Sequence, residues 1–520
     1  MQVAPSPLKS NPDLAMKGLR LLGHLLLAAL LVLLGVHLAG VVLDFVHANG
    51  YPFELDYGEG IVWQQAVLMP GPRAYSTSTS LPFIVFHYPP LYYLLVHAAR
   101  TILPDYLAAG RLVASLATVP VALAVAGLVM IATRRPIRQP TELGIAASAS
   151  ALVLCLHAFR AWGMLMRVDM PAVALTMTGL CVASWATGRF WGTTCALLLC
   201  TAAVFTKQTE LPAGVAVFLV ALLRNPRAAL GAAAIAGAVG IAALALLQMQ
   251  TSGGFLLNII GYNVNPIWWG FALDAIQPEW SSLPIALLAL IGACFVGWSL
   301  LPAVSGWRLG TVLGQLWQLR TAERPVFCRA LLLLAFILYT LTAPALMKEG
   351  SNYNYLLSWL AISCTLIGIM VLELRRDAAG GRWAYSVTLL ILVLTLTLQP
   401  MRRFREADFA ERSAAREALV QKFAAAKKPV ASDDMAVLLR AGKQVIFEPA
   451  IATALAATGA WDQRPLVQFI RSGGFAYMLT AGNHVGGGPW RSPAVDAAMR
   501  EAYPQVENVG RNLWLHLPAN

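Results

Sequence analysis

The sequence predicts an all-α polytopic membrane protein with a small α/β domain near its C-terminal end. The 520-residue chain is 58% hydrophobic and only 12% charged, whereas soluble domains carry about 25% charged residues. Apolar runs of about 20 residues recur along the chain, and each is long enough to cross a hydrocarbon core of about 30 Å. After residue 400 the composition changes, and polar and charged residues become frequent.

About eleven runs have the length and the charged boundaries of membrane spans. They lie near residues 19–42, 108–133, 143–158, 170–187, 191–206, 211–223, 228–248, 282–303, 328–347, 353–373 and 383–400. The third, fifth and sixth are short for a span. The first is too long for a cleaved signal peptide and lacks a small-residue cleavage site, so we predict a retained anchor.

Lysine and arginine cluster in the short loops that would share one side if eleven spans alternate. The groups are Lys9, Lys17 and Arg20; Arg134, Arg135 and Arg138; Arg224 and Arg227; Arg308, Arg320, Arg324 and Arg329; and Arg375, Arg376 and Arg382. The positive-inside rule places that side in the cytoplasm. The net charge of +12 is then a consequence of membrane topology, so we expect membrane lipids and no nucleic acid as partners.

This orientation predicts three parts in a protein of the cell (inner) membrane. Residues 1–18 form a cytoplasmic tail, 19–400 a transmembrane domain, and 401–520 an extracytoplasmic α/β domain. The first outer loop, residues 43–107, contains two helix-like stretches, "GIVWQQAVLM" and "PLYYLLVHAARTIL". Their Trp and Tyr residues favour helices that lie in the membrane interface. The outer domain begins with an amphipathic helix in 401–423, and strand-like runs follow in 428–449 and 473–482.

The first outer loop opens with "ELDYGEG", which places the three carboxylates Glu54, Asp56 and Glu59 beside a membrane span. Because an ionised carboxylate near hydrocarbon is costly, such acids usually face an aqueous cavity. On a helix, Asp56 and Glu59 would share a face, where the pair would raise one pKa or bind a cation. A carboxylate pair suits general-base catalysis. The alternative is a solvated interfacial loop in which the acids have no chemical role.

Two more charged positions follow on the predicted outer side. Asp169 stands in "LMRVDMPAV" after Arg160 and Arg167, and the alternative to a functional role is that it caps the helix that follows. Lys207, in "FTKQTEL", is a lone outer cation that opposes the charge bias. It therefore requires an anionic ligand or a partner such as Glu210.

Polar and aromatic residues from two further segments belong to the same predicted outer surface. "HYPPLYYLL" supplies His87 and Tyr88, and "KEGSNYNYLL" supplies Lys348, Asn352, Tyr353, Asn354 and Tyr355. The alternatives here are a satisfied interface histidine and tyrosines of an aromatic belt. Taken together, the surface offers cations to a phosphate-bearing lipid head and a carboxylate to an incoming hydroxyl group.

Four motifs, "ELDYGEG", "HYPPLYYLL", "RVDMP" and "FTKQT", stand in that order. Because of this order, the chain resembles the GT-C superfamily of membrane glycosyltransferases, and in particular its protein-mannosyltransferase and aminoarabinose-transferase-like branch. The resemblance covers about residues 20 to 400. The resemblance implies that a sugar is transferred, with inversion, from a polyprenyl-phosphate donor to a hydroxyl group on the extracytoplasmic face. The acceptor is a lipid, a glycan or a protein.

The resemblance also implies roles for single residues. Asp56 is the general base with Glu59 as the second choice, Asp169 is the second acid, and Lys207 contacts the lipid phosphate. The remaining expected substrate contacts are His87, Tyr88, Arg160, Arg167, Lys348, Asn352 and Tyr355. Tyr88 stands where the aminoarabinose branch has a lysine before the Pro-Pro pair, which leaves the donor sugar open.

A divalent cation, Mg²⁺ or Mn²⁺, held by Asp56, Glu59 and Asp169 is compatible with oxygen ligands, although no ligand set in the sequence demands one. The seven cysteines lie in or beside apolar segments without a CxxC pair. They are typical of small buried hydrophobic residues and predict neither a disulfide framework nor a metal cluster.

Two other functions compete with an enzyme. A transporter or lipid flippase would show inverted repeats and Gly/Pro-interrupted spans in matching halves, and the sequence has neither. A membrane-anchored binding or assembly protein that acts through its outer domain would leave Asp56, Asp169 and Lys207 unexplained. The sequence therefore favours the enzyme.

Overall fold

A computed structural model describes residues 12–133, 135–263, 265–277, 282–301, 320–377, 379–400, 406–481, 490–510 and 512–519. The α-helices in these ranges are α1 (Pro12–Gly50), α2 (Tyr57–Leu68), α3 (Leu91–Ala99), α4 (Tyr106–Ala132), α5 (Pro140–Cys155), α6 (His157–Trp162), α7 (Asp169–Ala186), α8 (Phe190–Val204), α9 (Leu211–Arg224), α10 (Pro226–Gln250), α11 (Gly254–Leu256), α12 (Trp269–Ile276), α13 (Leu283–Leu300), α14 (Arg324–Thr342), α15 (Leu357–Arg376), α16 (Ala379–Leu398), α17 (Glu406–Ala425), α18 (Met435–Arg440), α19 (Pro449–Ala457), α20 (Arg464–Arg471) and α21 (Pro493–Ala502). Three 3₁₀-helices span Gln208–Glu210, Ala343–Met347 and Tyr353–Leu356, and a π-helix spans Leu257–Gly261.

Every predicted span coincides with a helix of the bundle. Among the described residues, seven helical segments are long and apolar enough to cross a membrane. They are Met16–Gly50, Tyr106–Ala132, Pro226–Gln250, Leu283–Leu300, Arg324–Met347, Tyr353–Arg376 and Gly380–Leu398, and the shorter helices α5 and α8 are also apolar. The chain is thus a helical membrane protein, and the number of eleven crossings stays a prediction.

The bundle is organised around α15, which is buried along most of its length. It packs against α13, α5, α4 and α16. A Cβ atom on Gly368 would lie 2.7 Å from the Cβ of Ala149, so the glycine permits the close approach of α15 to α5. At the edge of the bundle, α10 is mostly exposed, as expected for a helix that faces lipid.

The alternation of the helices gives the bundle two ends. At the site end, α1 ends and α4 begins, and the first outer loop, the start of α7 and the 205–210 turn meet there. At the basic end, α4 ends and α5 begins, and the predicted basic groups of the described chain lie there. Residues 1–11, which include Lys9, and the positions Arg134 and Arg308 lie outside the described residues.

The C-terminal part is built on a four-stranded sheet of β1 (Val430–Ser432), β2 (Tyr477–Ala481), β3 (Gln505–Gly510) and β4 (Leu513–Leu517), in the order β1-β2-β4-β3. β1 pairs with β2 in parallel, with Val430 opposite Tyr477. β4 pairs antiparallel with both β2 and β3, with Leu515 opposite Leu479 and Glu507. The small α/β unit predicted from the sequence is confirmed.

Two details of this unit differ from the strand-like runs in the sequence. The run "MAVLL" is the helix α18, because the carboxylate of Asp434 accepts a hydrogen bond from the Val437 N–H at 3.2 Å and caps the helix. Phe447 pairs with Phe83 of the first outer loop in an isolated parallel bridge. The amphipathic helix predicted in 401–423 is α17, and residues 401–405 lie outside the described ranges.

The first outer loop and the C-terminal unit share two hydrophobic clusters. In one, Phe83 stacks on Trp461 with ring centroids 4.8 Å apart. In the other, Tyr51 and Phe53 pack with Leu438 and other residues of the sheet and α18. α2 contacts both α18 and α4, so much of the helix predicted to lie in the membrane interface is covered by protein. The proposed boundary at 401 divides units that are packed together.

Candidate functional site

The site is centred on Asp56, which precedes α2 and caps it. One carboxylate oxygen, Oδ1, accepts a hydrogen bond from the Gly58 N–H at 3.0 Å. The same oxygen lies 3.7 Å from Nη1 of Arg167, and the Asp56 side chain is 35% exposed. Asp56 is therefore both an N-cap and an accessible carboxylate beside a cation. Asp56 lies outside the helix, so it does not share a helix face with Glu59 as the spacing predicted. Asp56 pairs with Arg167 and Glu59 with Arg111.

Gly58 makes the approach of Arg167 possible. A Cβ at position 58 would lie 1.2 Å from Nη1 of Arg167, a separation that no side chain tolerates. Gly60 plays a similar part, since its Cβ would lie 2.7 Å from the Cβ of Met435 in α18. The two glycines of "ELDYGEG" thus let an arginine and the C-terminal unit approach the backbone of α2.

Arg167 is the ion-pair partner of Asp56. Its guanidinium lies 4.9 Å from the centre of the Trp162 ring, and the side chain is 14% exposed. Burial lowers the pKa of Arg167, but the charges of Asp56 and Asp169 outweigh this effect and raise it. Nε of Arg167 has no hydrogen-bond partner among the described residues. The guanidinium therefore keeps a free donor for an anion.

Asp169 and Lys207 form a buried ion pair. Nζ of Lys207 donates to Oδ1 of Asp169 at 2.6 Å, and the amide of Asn354 donates to the same oxygen at 2.8 Å. Nζ also lies 4.6 Å from the centre of the Tyr355 ring. Burial lowers the pKa of Lys207, but the carboxylate of Asp169 outweighs it and raises the pKa to about 12. The lysine is thus a permanent cation of the site.

This contact decides two alternatives that the sequence left open. Asp169 is the first residue of α7. Its Oδ1 accepts from Lys207 and Asn354, and its Oδ2 has no hydrogen-bond partner among the described residues, so its ionic partner is Lys207. Glu210 does not pair with Lys207 by a hydrogen bond. Its Oε2 accepts instead from the hydroxyls of Thr176, Tyr339 and Ser358 at 3.0, 2.6 and 2.7 Å.

His87 and Tyr88 border the same group of charges. Burial raises the pKa of Tyr88; the charge of Arg167 opposes this effect, and Asp169 and Tyr355 add to it. Burial lowers the pKa of His87 to about 4, with Lys348 and Arg167 adding to the effect. His87 is therefore neutral near pH 7, and its carbonyl accepts a hydrogen bond from the Gln208 amide at 3.1 Å.

Lys348 and Asn352 lie in the segment that precedes α15. Nζ of Lys348 donates to the backbone carbonyl of Asn263 at 3.2 Å and also to its side chain. Burial lowers the pKa of Lys348. The side chain of Asn352 accepts from the Tyr353 N–H at 2.7 Å and caps the 3₁₀-helix there. Asn352 thus shapes the turn that brings Asn354 and Tyr355 to Asp169 and Lys207.

Glu59 is placed differently from the other predicted catalytic residues. It is fully buried and binds Arg111 through two hydrogen bonds of 2.8 and 2.7 Å. The backbone N–H groups of Leu55 and Met166 donate to its two oxygens, each at 2.7 Å. All of its hydrogen-bonding capacity serves the fold, so the structure offers a structural role for Glu59 and leaves Asp56 as the accessible acid.

Arg160 is also held by the fold. Its Nε donates to Oδ2 of Asp44 in α1 at 2.7 Å, and Nη1 donates to the carbonyl of Pro400 at 2.7 Å. These contacts tie α6 to α1 and to the chain that follows α16. Of the two arginines that precede Asp169, Arg160 is thus engaged by the fold, whereas Arg167 lies beside Asp56.

The three carboxylates considered for a metal ion do not converge. The described residues contain no cluster of three His, Cys, Asp or Glu side chains that would hold a metal. Glu59 is saturated by Arg111 and backbone donors, and Oδ1 of Asp169 by Lys207 and Asn354. This trio of side chains therefore does not fit Mg²⁺ or Mn²⁺.

Arg111 was missed in the sequence, although an arginine within an apolar span is a strong signal. Besides Glu59 it binds the carbonyls of Ala48, Tyr51 and Phe53 at 2.5, 2.7 and 2.7 Å. It thereby fixes the chain between α1 and α2, from which Asp56 projects. Its partners follow from the fold, and no local pattern reveals them.

Comparison with solved structures places this geometry in a known fold. ArnT from Cupriavidus metallidurans, solved bound to undecaprenyl phosphate, matches with a TM-score of 0.53 at 11% identity, over 92% of this chain and 97% of ArnT. The chain has a GT-C-like fold. The oligosaccharyltransferase AglB from Archaeoglobus fulgidus, in complex with an inhibitory peptide and dolichol-phosphate, is a more distant match. Its TM-score is 0.46 at 12% identity, over 90% of this chain and 72% of AglB.

No protein-family model and no curated protein matches the sequence. The GT-C-like fold therefore rests on the shape of the chain, and the resemblance inferred from the four motifs is confirmed at that level. At 11% identity the match to ArnT shows the fold alone. The match does not assign roles to Asp56, Arg167, Asp169 and Lys207.

Proposed function

We propose that the chain is a glycosyltransferase that moves a sugar from a polyprenyl-phosphate donor to a hydroxyl acceptor, with inversion. The reaction would take place on the extracytoplasmic face of the cell (inner) membrane. The observation that carries the proposal is the 3.7 Å pair of the accessible Asp56 carboxylate and the Arg167 guanidinium at the site end. A base and a cation in contact suit a reaction that removes a proton and releases a phosphate.

In this reaction Asp56 accepts the proton of the acceptor hydroxyl as its oxygen attacks the anomeric carbon. The new C–O bond forms while the bond from that carbon to the phosphate oxygen breaks, and the electron pair leaves with the lipid phosphate. The protonated Asp56 then returns its proton to water. Attack from the face opposite to the leaving phosphate inverts the anomeric centre.

Arg167 and Lys207 supply the positive charge that the departing phosphate requires. Arg167 is the first contact in this proposal, because it is partly exposed and its Nε has no partner among the described residues. Arginine also binds phosphate through two parallel hydrogen bonds. Lys207 is buried against Asp169. In this proposal it adds a second positive charge near the phosphate without the exposure of Arg167. Tyr88, His87 and Tyr355 line the space near these cations.

The fold supports a lipid-phosphate donor. ArnT, which shares the fold at a TM-score of 0.53, was solved with undecaprenyl phosphate, a polyprenyl phosphate. The orientation follows from the positive-inside rule, because the basic end would face the cytoplasm and Asp56 the other side. The sugar and the acceptor are left open by these contacts.

Mass spectrometry of lipid-linked sugars and surface glycans tests the proposal in cells with the protein, without it, and with Asp56→Asn. Asparagine is as good an N-cap as aspartate, so α2 should remain intact in the variant. We expect the deletion and Asp56→Asn to accumulate the same polyprenyl-phosphate sugar and to lose one glycan. Asp105→Asn is the matched control, since Asp105 also caps a helix and pairs with an arginine at the site end.

Normal glycans in the Asp56→Asn cells would remove Asp56 as the base. Unchanged lipid-linked sugars and glycans in the deletion, together with altered uptake of a solute, would replace the enzyme by a transporter. Loss of the glycan in the Asp105→Asn cells as well would show that the effect is structural.

A further inference from the structure

A second concave site lies at the basic end of the bundle. It is a cavity of about 710 Å³ between the start of α1, the α4–α5 connection and the ends of α15 and α16 that meet there. Its charged and polar lining residues are Arg20, His24, Arg135, Arg138, Gln139, Glu142, Arg375, Arg376, Arg382 and Tyr385. The part of α1 from His24 to Gly50, roughly 39 Å long at 1.5 Å per residue, separates this cavity from the loop that holds Asp56.

The cavity is strongly positive. Its described lining contains six arginines and a single carboxylate, Glu142. Oε1 of Glu142 lies 2.8 Å from Nε of Arg376 and 3.8 Å from Nη1 of Arg375. Its Oε2 accepts from the Arg138 N–H at 3.0 Å and caps α5. One carboxylate cannot balance six guanidinium groups, so the cavity carries an excess of positive charge.

Two buried donors in this lining have no hydrogen-bond partner among the described residues. They are Nη1 of Arg376 and the hydroxyl of Tyr385. The Arg376 side chain is 9% exposed, and Tyr385 is 5% exposed. Since buried polar groups are almost always hydrogen-bonded, both donors indicate an acceptor that enters the cavity. The positive-inside rule accounts for the number of arginines, but it does not account for two buried donors without a partner on residues that line one cavity.

Apolar side chains flank the cavity on the outside of the bundle. Leu21, Leu22 and Leu25 of α1 are 61%, 46% and 59% exposed, and Trp383 of α16 is 65% exposed. Each of them is next to, or separated by one residue from, a cavity residue in the sequence: Arg20, His24 or Arg382. The ligand therefore meets cations in the cavity and an apolar surface beside it, which is the pattern of a lipid headgroup and its chains.

We propose that this cavity binds the phosphate of an anionic lipid from the leaflet at the basic end, with the acyl chains along α1 and α16. The phosphate oxygens would accept hydrogen bonds from Arg376, Arg382 and Tyr385, and arginine suits them because its fork binds two oxygens at once. The lipid is a resident ligand of the opposite leaflet from Asp56. Its binding does not require sugar transfer.

Native mass spectrometry of the full chain in a non-ionic detergent tests the proposal with three probes. These are dioctanoyl phosphatidic acid, dioctanoyl phosphatidylcholine and inorganic phosphate. We expect phosphatidic acid to bind at least about tenfold more tightly than either other probe, since one charged hydrogen bond contributes about 1.5–3 kcal/mol. Equal binding of inorganic phosphate would show that the acyl chains do not contribute and would contradict a lipid ligand. Equal binding of phosphatidylcholine, whose phosphate is balanced by a choline cation, would contradict a preference for an anionic lipid.

Two variants assign the binding to the cavity. Tyr385→Phe removes only a hydroxyl that has no partner among the described residues, so the fold should persist, and Arg382→Gln removes one charge. We expect each to weaken phosphatidic acid binding by about three- to tenfold. Arg227→Gln, an exposed arginine at the same end but outside the cavity, should leave binding unchanged. Unchanged binding in both cavity variants, or an equal loss in Arg227→Gln, would overturn the site.

Discussion

The guanidinium of Arg167 occupies the space that a side chain at position 58 would fill, because a Cβ on Gly58 would lie 1.2 Å from Nη1 of Arg167. This contact places the arginine 3.7 Å from the Asp56 carboxylate, two residues earlier in the same motif. The glycine in "ELDYGEG" therefore determines where the proposed phosphate contact stands relative to the proposed base.

Gly58→Ala should displace Arg167 and reduce sugar transfer about tenfold or more, since small misplacements of a contact group are costly in catalysis. Purified protein, polyprenyl-phosphate sugar and initial rates normalised to folded protein would measure this. The control is Gly50→Ala, because a Cβ at Gly50 would meet no atom within 4 Å. An active Gly58→Ala variant would show that Arg167 can move without consequence.

Glu59→Gln should destabilise the protein rather than act on the chemistry alone. Removal of one partner from a buried ion pair costs about 3–5 kcal/mol, and Arg111 would keep its charge with side-chain exposure of 0%. A large fall in the thermal unfolding temperature is expected, and the double variant Glu59→Gln with Arg111→Met should recover part of it. Equal stability of the Glu59→Gln protein and the wild type would contradict a structural pair.

Lys207→Ala should weaken use of the donor more than use of the acceptor. The change removes a cation whose pKa is raised to about 12, and in the proposed reaction it is the donor that releases a phosphate. The measurement is KM for each substrate at a saturating concentration of the other, on protein that is shown to be folded because Asp169 loses its partner. An equal rise in both KM values would argue against a role of Lys207 toward the phosphate.

Glu54→Gln should make stability less dependent on pH. Burial, followed by the charges of Asp434 and Glu59, raises the pKa of Glu54 well above its ordinary value of 4.5. The folded state therefore holds a proton that the unfolded chain releases, and stability falls as the pH rises from 4.5 toward the folded pKa. The slope is at most about 1.4 kcal/mol per pH unit.

Thermal unfolding from pH 4.5 to 9 measures this effect. The unfolding temperature of the wild type should fall more steeply with pH than that of Glu54→Gln, with the two curves closest near pH 4.5. Glu501→Gln, whose side chain is 66% exposed, is the control and should follow the wild type. Parallel curves for wild type and Glu54→Gln would show that Glu54 is ionised in the folded protein.

Labelling of introduced cysteines tests the orientation. Asp462→Cys in the C-terminal unit, where the native side chain is 51% exposed, should react with a membrane-impermeant maleimide in intact cells. Arg227→Cys at the basic end should react only after the membrane is opened. The unmodified chain provides the background of its seven cysteines. The reverse pattern would invert the proposed topology.

The helices of the bundle were predictable because hydrocarbon imposes a length on each apolar run, and each of the predicted runs coincides with a helix. The small sheet was predictable from short apolar runs between turns, although "MAVLL" became helical once Asp434 capped it. What local patterns cannot show is the choice of partner. Glu59 pairs with Arg111 and Asp56 with Arg167, and these arginines lie far away in sequence.

The candidate site was predicted only in part, because local patterns do not show which residues pair. Asp169 and Lys207 lie 38 residues apart, yet both stood out as charges at the edge of apolar runs, and the structure brings them together. Arg160 and Glu59 stood out by the same signal but serve packing. A charged side chain at a membrane edge needs a partner of opposite charge. The sequence identifies such side chains, but only the fold shows whether the partner is another residue of the protein.

The clusters that join Phe83 to Trp461 and Tyr51 to Leu438 affect when the first outer loop can fold during translation. Ribosomes make the segment around Asp56 early, but its hydrophobic neighbours emerge only with the final hundred or so residues. The first outer loop therefore completes its packing only when translation of the chain ends. A chain cut short near residue 430 would keep its helices in the bilayer and still lack a finished site.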